Sequence, residues 1–196
     1  MSLSIRLSHF LVDLFAAKGW IEEDGEIAYV VGLDVIFSTL TDWMAIGILG
    51  LIRGRLLEAF VYLLFVLTVR RYSGGYHAST RAGCFSIFVG FYLLTDLFTV
   101  GVFKNAGSLF LIIYSVSSMI MGELIFYLFV PIGNDRKKYT EEWLISARKK
   151  AFICLNVWYC LAVSLAALRI ELFGQIIAAS NIVVILILMR KRREGK

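Results

Sequence analysis

Residues 107–130 read GSLFLIIYSVSSMIMGELIFYLFV, a run in which Glu123 is the only charge. An α-helix rises about 1.5 Å per residue and the hydrocarbon core of a bilayer is ~30 Å thick, so roughly 20 such residues cross it. Outward from this run the pattern recurs, with apolar blocks over residues 27–50, 56–69, 84–103, 151–169 and 172–189. The block 56–69 is short for a span. It reads either as a crossing extended by its neighbours or as a partly buried helix. Of the 196 residues, 59% are hydrophobic, against roughly 45–50% in soluble domains, and mean hydropathy is +0.78. The expected fold class is an all-α integral membrane protein of about six transmembrane helices.

Ahead of the first block, Leu3, Leu7, Phe10, Leu11, Leu14 and Phe15 recur at helical spacing, with Arg6, Asp13 and Lys18 elsewhere on the wheel. This predicts an amphipathic helix over residues 1–18 that lies in the membrane interface and ends at Gly19. The acidic residues Asp13, Glu22, Glu23, Asp24 and Glu26 do not fit a signal peptide. With both termini inside, sixteen of the twenty basic residues lie on the cytoplasmic side, leaving Arg53, Arg55, Lys104 and Arg169 on the other. The positive-inside rule thus predicts a multi-pass protein of the cell membrane with cytoplasmic termini, and loss of the short second span would invert part of that arrangement. A net charge of +5 does not point to nucleic acid, because the basic residues fill the gaps between apolar blocks. The tail RKRREGK, residues 190–196, suits an anionic inner leaflet. No repeat, low-complexity segment or linker interrupts the chain, so a single domain over 1–196 is expected.

Chemistry concentrates in residues 70–84, RRYSGGYHASTRAGC, between the second and third blocks. This stretch, expected as a cytoplasmic loop, holds His77, one of two histidines, and Cys84, the one cysteine near a membrane boundary. A thiol is an effective nucleophile as the thiolate, and a neighbouring histidine can take its proton. Ser79 or Thr80 can cap the following helix, which puts Cys84 in a first turn where the macrodipole favours an anion. On one continuous helix His77 and Cys84 would be separated by ~10 Å along the axis, too far to hydrogen-bond. A chain that stays irregular up to Thr80, as Gly74 and Gly75 encourage, lets the imidazole fold back. The glycine pair serves either a loop turn or the approach of backbone amides to a substrate carbonyl. By spacing alone, an interfacial histidine and a small buried cysteine are the plainer readings. Cys84, Cys154 and Cys160 form no disulfide framework, no metal-ligand spacing is present, and no cofactor is called for.

The string from Arg70 to Cys84 resembles the loop signature of the AgrB family, membrane endopeptidases of Gram-positive quorum-sensing systems. Length, hydropathy and the amphipathic amino terminus are similar as well, so the likeness covers nearly the whole chain. The resemblance implies that Cys84 is the nucleophile and His77 the base, and that an AgrD-type precursor peptide is the substrate. Cleavage near the precursor's carboxyl end would leave an acyl-thioester on Cys84, which an internal Cys or Ser then attacks to release a cyclic thiolactone or lactone. Arg70 stands at the family's arginine position, for orienting the loop or binding a substrate carboxylate, with Arg71 as its substitute. A backbone carbonyl or Ser86 would orient the imidazole. The basic stretch Arg136 to Lys150 would meet an acidic part of the precursor or the inner leaflet.

Two other readings remain at this stage. A small transporter would use the intramembrane acids Asp34, Asp42, Glu58, Asp96 and Glu123, with His77 and Cys84 incidental, although a structural hydrogen-bonding role for each acid is the plainer expectation. Asp96 lies about 18 Å beyond Cys84 on a straight helix, out of reach of the sulfur. A non-enzymatic scaffold is the other reading. Small residues around Gly47 and Gly50 would let two copies pack as a homodimer.

Overall fold

The computed structural model describes residues 3–21, 26–76, 78, 80–103, 106–132, 140–168 and 172–194. The described elements are all helical: α1 (Leu3–Ala17), α2 (Glu26–Ile52), α3 (Leu56–Ser73), α4 (Arg81–Phe98) continued by a π-helical turn (Thr99–Phe103), α5 (Ser108–Phe129), α6 (Glu141–Ala167) and α7 (Leu172–Glu194). Contacts divide the chain into two compact units, residues 1–48 and 49–196. In the first, α1 stops where the sequence says it should. Gly19 takes φ +69°, its N–H bonds Ala16 O at 2.9 Å, and the Trp20 N–H bonds Phe15 O at 3.0 Å. These are the two bonds of a Schellman cap, and the Phe15 and Trp20 rings, 5.7 Å apart, supply its apolar contact.

Among the described residues, five helices are long and apolar enough to cross a membrane: α2, α4 with its π-helical extension, α5, α6 and α7. The chain is an all-α membrane protein. The exception is α3, whose 18 residues carry Glu58, Arg70 and Arg71. Its two ends nevertheless lie at opposite ends of the second unit. Near its start, the Arg55 carbonyl accepts from Ala59 N–H at 3.1 Å and Arg55 pairs with Asp96, close to the end of α4. At its finish, Ser73 O accepts from Ile132 N–H, just past the end of α5, at 3.0 Å. At ~1.5 Å per residue the helix is about 27 Å long, near the thickness of the hydrocarbon core.

The helix α7 is the core of the second unit: 67% of its most apolar stretch is buried, against 22% for α4, α5 and α6. Ala178, Ala179 and Ser180 make this close approach possible, because small side chains let helix backbones near one another where lipid is the alternative neighbour. Buried polar side chains stitch the helices together. Tyr159 and Ser180 share a 2.6 Å hydrogen bond, Asn181 donates to Tyr114 at 2.6 Å, and the Trp158 indole donates to Thr68 at 2.8 Å. Gln175 donates to Thr95 and accepts from Thr99, each at 3.2 Å. Outward-facing Ile112, Ile120 and Ile153 are exposed, as side chains that meet acyl chains are.

The intramembrane acids of this unit have partners. Asp96, fully buried, is ion-paired with Arg53 and, at 3.1 Å, with Arg55. Glu58 lies 3.2 Å from Arg55, and Glu123 accepts from Asn156 at 3.0 Å. Asp34 and Asp42 belong to the first unit. The small-residue face expected to pair two copies is partly spent within the chain, since a Cβ on Gly50 would lie 2.5 Å from the Ala59 Cβ and 3.3 Å from the Tyr92 hydroxyl. Gly47 has open space around it.

Candidate active site

The segment between α3 and α4 is shorter than the expected 70–84. Arg70 to Ser73 complete α3, and Arg81 to Cys84 open α4. Two arginines in the last turn of a helix are favoured by the macrodipole, so charge that reads as loop in the sequence belongs to the helix. The break comes at the glycine pair. Gly74 takes φ +74° and Gly75 φ +138°, a conformation that side chains disfavour. Gly74 is also crowded: a Cβ there would lie 2.4 Å from the Ile132 carbonyl oxygen. The glycines therefore shape the turn.

The turn is tied to α3 and α7. The Gly74 N–H bonds Arg70 O at 3.1 Å, and the Tyr76 N–H bonds Leu186 O on α7 at 3.2 Å. The Arg70 guanidinium donates to the Tyr76 carbonyl at 2.7 Å. Both backbone groups of the residue before position 77 are thus fixed, one from α3 and one from α7. On the other side, Ala78 lies over the first turn of α4, where a Cβ on Gly83 would be 3.0 Å from the Ala78 Cβ and 2.9 Å from the Thr80 hydroxyl. His77 and Ser79 lie outside the described residues.

Thr80 is the N-cap of α4, its hydroxyl accepting the Gly83 N–H at 3.1 Å. The Cys84 N–H bonds Thr80 O at 3.0 Å, so the half-buried Cys84 closes the first turn. A helix running unbroken from Arg70 to Cys84 is excluded by the turn, which leaves the irregular form that the glycines suggest.

The other residues singled out from the sequence stand apart from this arrangement. Arg71 is exposed and its guanidinium carbon lies 5.9 Å from the centre of the Tyr72 ring. Ser86 is exposed, and two residues beyond Cys84 it points away from the cysteine's face of α4. The basic stretch 136–150 is largely helix: Thr140 caps α6 by accepting the Trp143 N–H at 3.3 Å, with Glu141 and Glu142 in the first turn. Its residues 136–139 lie outside the described residues. Leu186 and Ile132, which hold the turn, carry no signal in the sequence, since an aliphatic residue that lends its backbone looks like any other.

The glycine geometry makes a direct prediction. Gly74→Ala is expected to destabilise the protein by about 2 kcal/mol, from ~1–2 kcal/mol for the left-handed backbone plus the clash with Ile132. Gly90→Ala, in the middle of α4 with open space around it, is expected to be neutral or stabilising by up to ~1 kcal/mol. Thermal unfolding in detergent distinguishes them, and equal midpoints would contradict the described turn.

A family model described as Accessory gene regulator B matches residues 8–189. The protein FsrB of Enterococcus faecalis is 26% identical over 147 residues, covering 74% of this chain and 59% of that protein. An AgrB-like protein of Clostridium perfringens is 25% identical over 134 residues, covering 65% of this chain and 60% of its own length. The chain thus spans less than two thirds of the length of these relatives. No solved structure matches.

Proposed function

This chain belongs to the accessory gene regulator B family, and from that premise we propose that it is a membrane cysteine endopeptidase that processes an AgrD-type quorum-sensing precursor. The observation that carries the reading is the placement of Cys84 in a capped first turn of α4, with both chain neighbours of His77 held against the helices around it. Cys84 is the nucleophile and His77 the base, the latter assigned through the family's motif.

His77 takes the Cys84 proton, and the thiolate attacks the carbonyl carbon of a peptide bond near the precursor's carboxyl end. The C–N bond breaks as the imidazolium returns the proton to the leaving amine, and the precursor's amino-terminal part stays on Cys84 as a thioester. A Cys or Ser within that part then attacks the thioester, closing a thiolactone or lactone and restoring the Cys84 thiol. Exchange of one thioester for another is nearly balanced, so loss of the cut tail or of the ring draws the reaction forward. Water is the competing acceptor, and a site at the membrane boundary disfavours it.

Arg70 is a positioning residue, since its guanidinium holds the carbonyl next to His77. The Cys84 end of the second unit carries Arg70, Arg71, Arg81, Arg148, Lys149 and Lys150, which supports a cytoplasmic location for the site and for both termini in the cell membrane. The transporter reading loses its motive in this unit, where Glu58, Asp96 and Glu123 are all partnered.

Co-expression with the small peptide gene expected beside this one, followed by mass spectrometry, tests the proposal. The expected product is an amino-terminal fragment lighter than the linear cleavage product by one water. An uncut precursor in the presence of correctly inserted protein would overturn the reading.

A further inference from the structure

At the Cys84 end, cations from two helices converge on one aromatic ring. The Arg71 guanidinium carbon lies 5.9 Å from the centre of the Tyr72 ring, and the Lys150 ammonium lies 5.8 Å from the same centre. Neither cation has a carboxylate partner or a hydrogen bond among the described residues. Two cations that each lie within 6 Å of one ring centre, with no counter-ion among the described residues, favour an anion from outside.

The surface beneath them says which kind. On α6, Ile153 and Val157 follow Lys150 at i+3 and i+7, so the three share a face, and both are 62% exposed. On α3, Leu67 precedes Arg71 by four residues and is likewise exposed. The two helices pack side by side, with the Phe65 and Trp158 rings 5.5 Å apart. A cationic ledge thus tops an apolar stripe that runs into the membrane, with Tyr72 at the level where amphipathic rings sit among headgroups. A soluble anion would use the ledge alone. A phospholipid uses both, its phosphate on the cations and an acyl chain along Ile153 and Val157.

We infer that Arg71, Tyr72 and Lys150 form a binding site for the headgroup of an anionic phospholipid, with its acyl chain against the α3 and α6 stripe. The test is native mass spectrometry of the detergent-purified full chain titrated with phosphatidylglycerol or phosphatidylcholine. Wild type is expected to retain phosphatidylglycerol in preference. Arg71→Gln with Lys150→Gln should weaken that retention by roughly tenfold or more, given what each basic residue contributes at a membrane surface. The charge-conserving pair Arg71→Lys with Lys150→Arg should keep it, which separates loss of the site from loss of fold. Lys191→Gln with Arg192→Gln removes equal charge at the end of α7 and should change little. Equal weakening by both charge-removing pairs would mean diffuse attraction and overturn the proposal. So would equal retention of the two lipids, or displacement by soluble glycerophosphate at the same concentration.

Discussion

Cys84→Ala is expected to abolish precursor cleavage, lowering the rate by roughly 10⁴-fold or more, as loss of a catalytic nucleophile does elsewhere. Cys84→Ser should be nearly as inactive, because a serine hydroxyl at the same position is a far weaker nucleophile without a base matched to it. The cysteine is half-buried at the surface of the first turn of α4, so neither substitution leaves a large cavity. Both variants should insert and unfold like wild type. Cleavage measured by mass spectrometry against protein content separates chemistry from folding. A Cys84→Ser protein that supports normal peptide output would favour transport and remove the peptidase reading. Cys154 and Cys160, on α6, provide the internal control, since their substitution should leave cleavage intact.

The second large effect is on stability. Asp96→Ala is expected to cost about 3 kcal/mol, the lower end of what breaking a buried ion pair costs, because Arg53 is one-third exposed and can be rehydrated while Arg55 keeps Glu58. For a chain of this size that corresponds to a fall of roughly 6–12 °C in the unfolding midpoint. The loss arises because Asp96 of α4 fastens the Arg53 to Arg55 turn before α3, and no other carboxylate among the described residues meets Arg53. Arg53→Gln should cost less, since Asp96 then retains Arg55. Equal stability of Asp96→Ala and wild type, measured by thermal unfolding in one detergent, would remove the clamp from the account.

The helices were legible because their apolar blocks obey one constraint, the thickness of a bilayer. Where a boundary moved, charge was the reason. The second block seemed to end at residue 69 because Arg70 and Arg71 look like loop, yet the last turn of a helix welcomes cations, and the backbone leaves the helix only at Gly74. The fifth block began at residue 151 on the same logic, whereas Thr140 and the two glutamates start α6 ten residues earlier. The cap at Thr80 could be read from residue type, and so could the stop at Gly19. Pairings across the chain could not. Asp96 is visible as an acid inside a span and the two arginines as charges between spans, but their meeting depends on how α3 and α4 pack. The anchoring of the Gly74 turn on Ile132 and Leu186 is a backbone matter that leaves no mark on side-chain identity. Of the candidate site, the sequence supplied the residues, and the structure added that Arg70 reaches the Tyr76 carbonyl.

If Cys84 is the nucleophile, it is expected to become acylated during processing. Purified protein mixed with precursor, quenched in acid and weighed intact, should carry an added mass equal to the precursor's linear amino-terminal fragment less one water. Peptide mapping should place it on Cys84, and neutral hydroxylamine should remove it as a thioester. A precursor that is cleaved with no such adduct, or with the adduct on Cys154 or Cys160, would contradict the account.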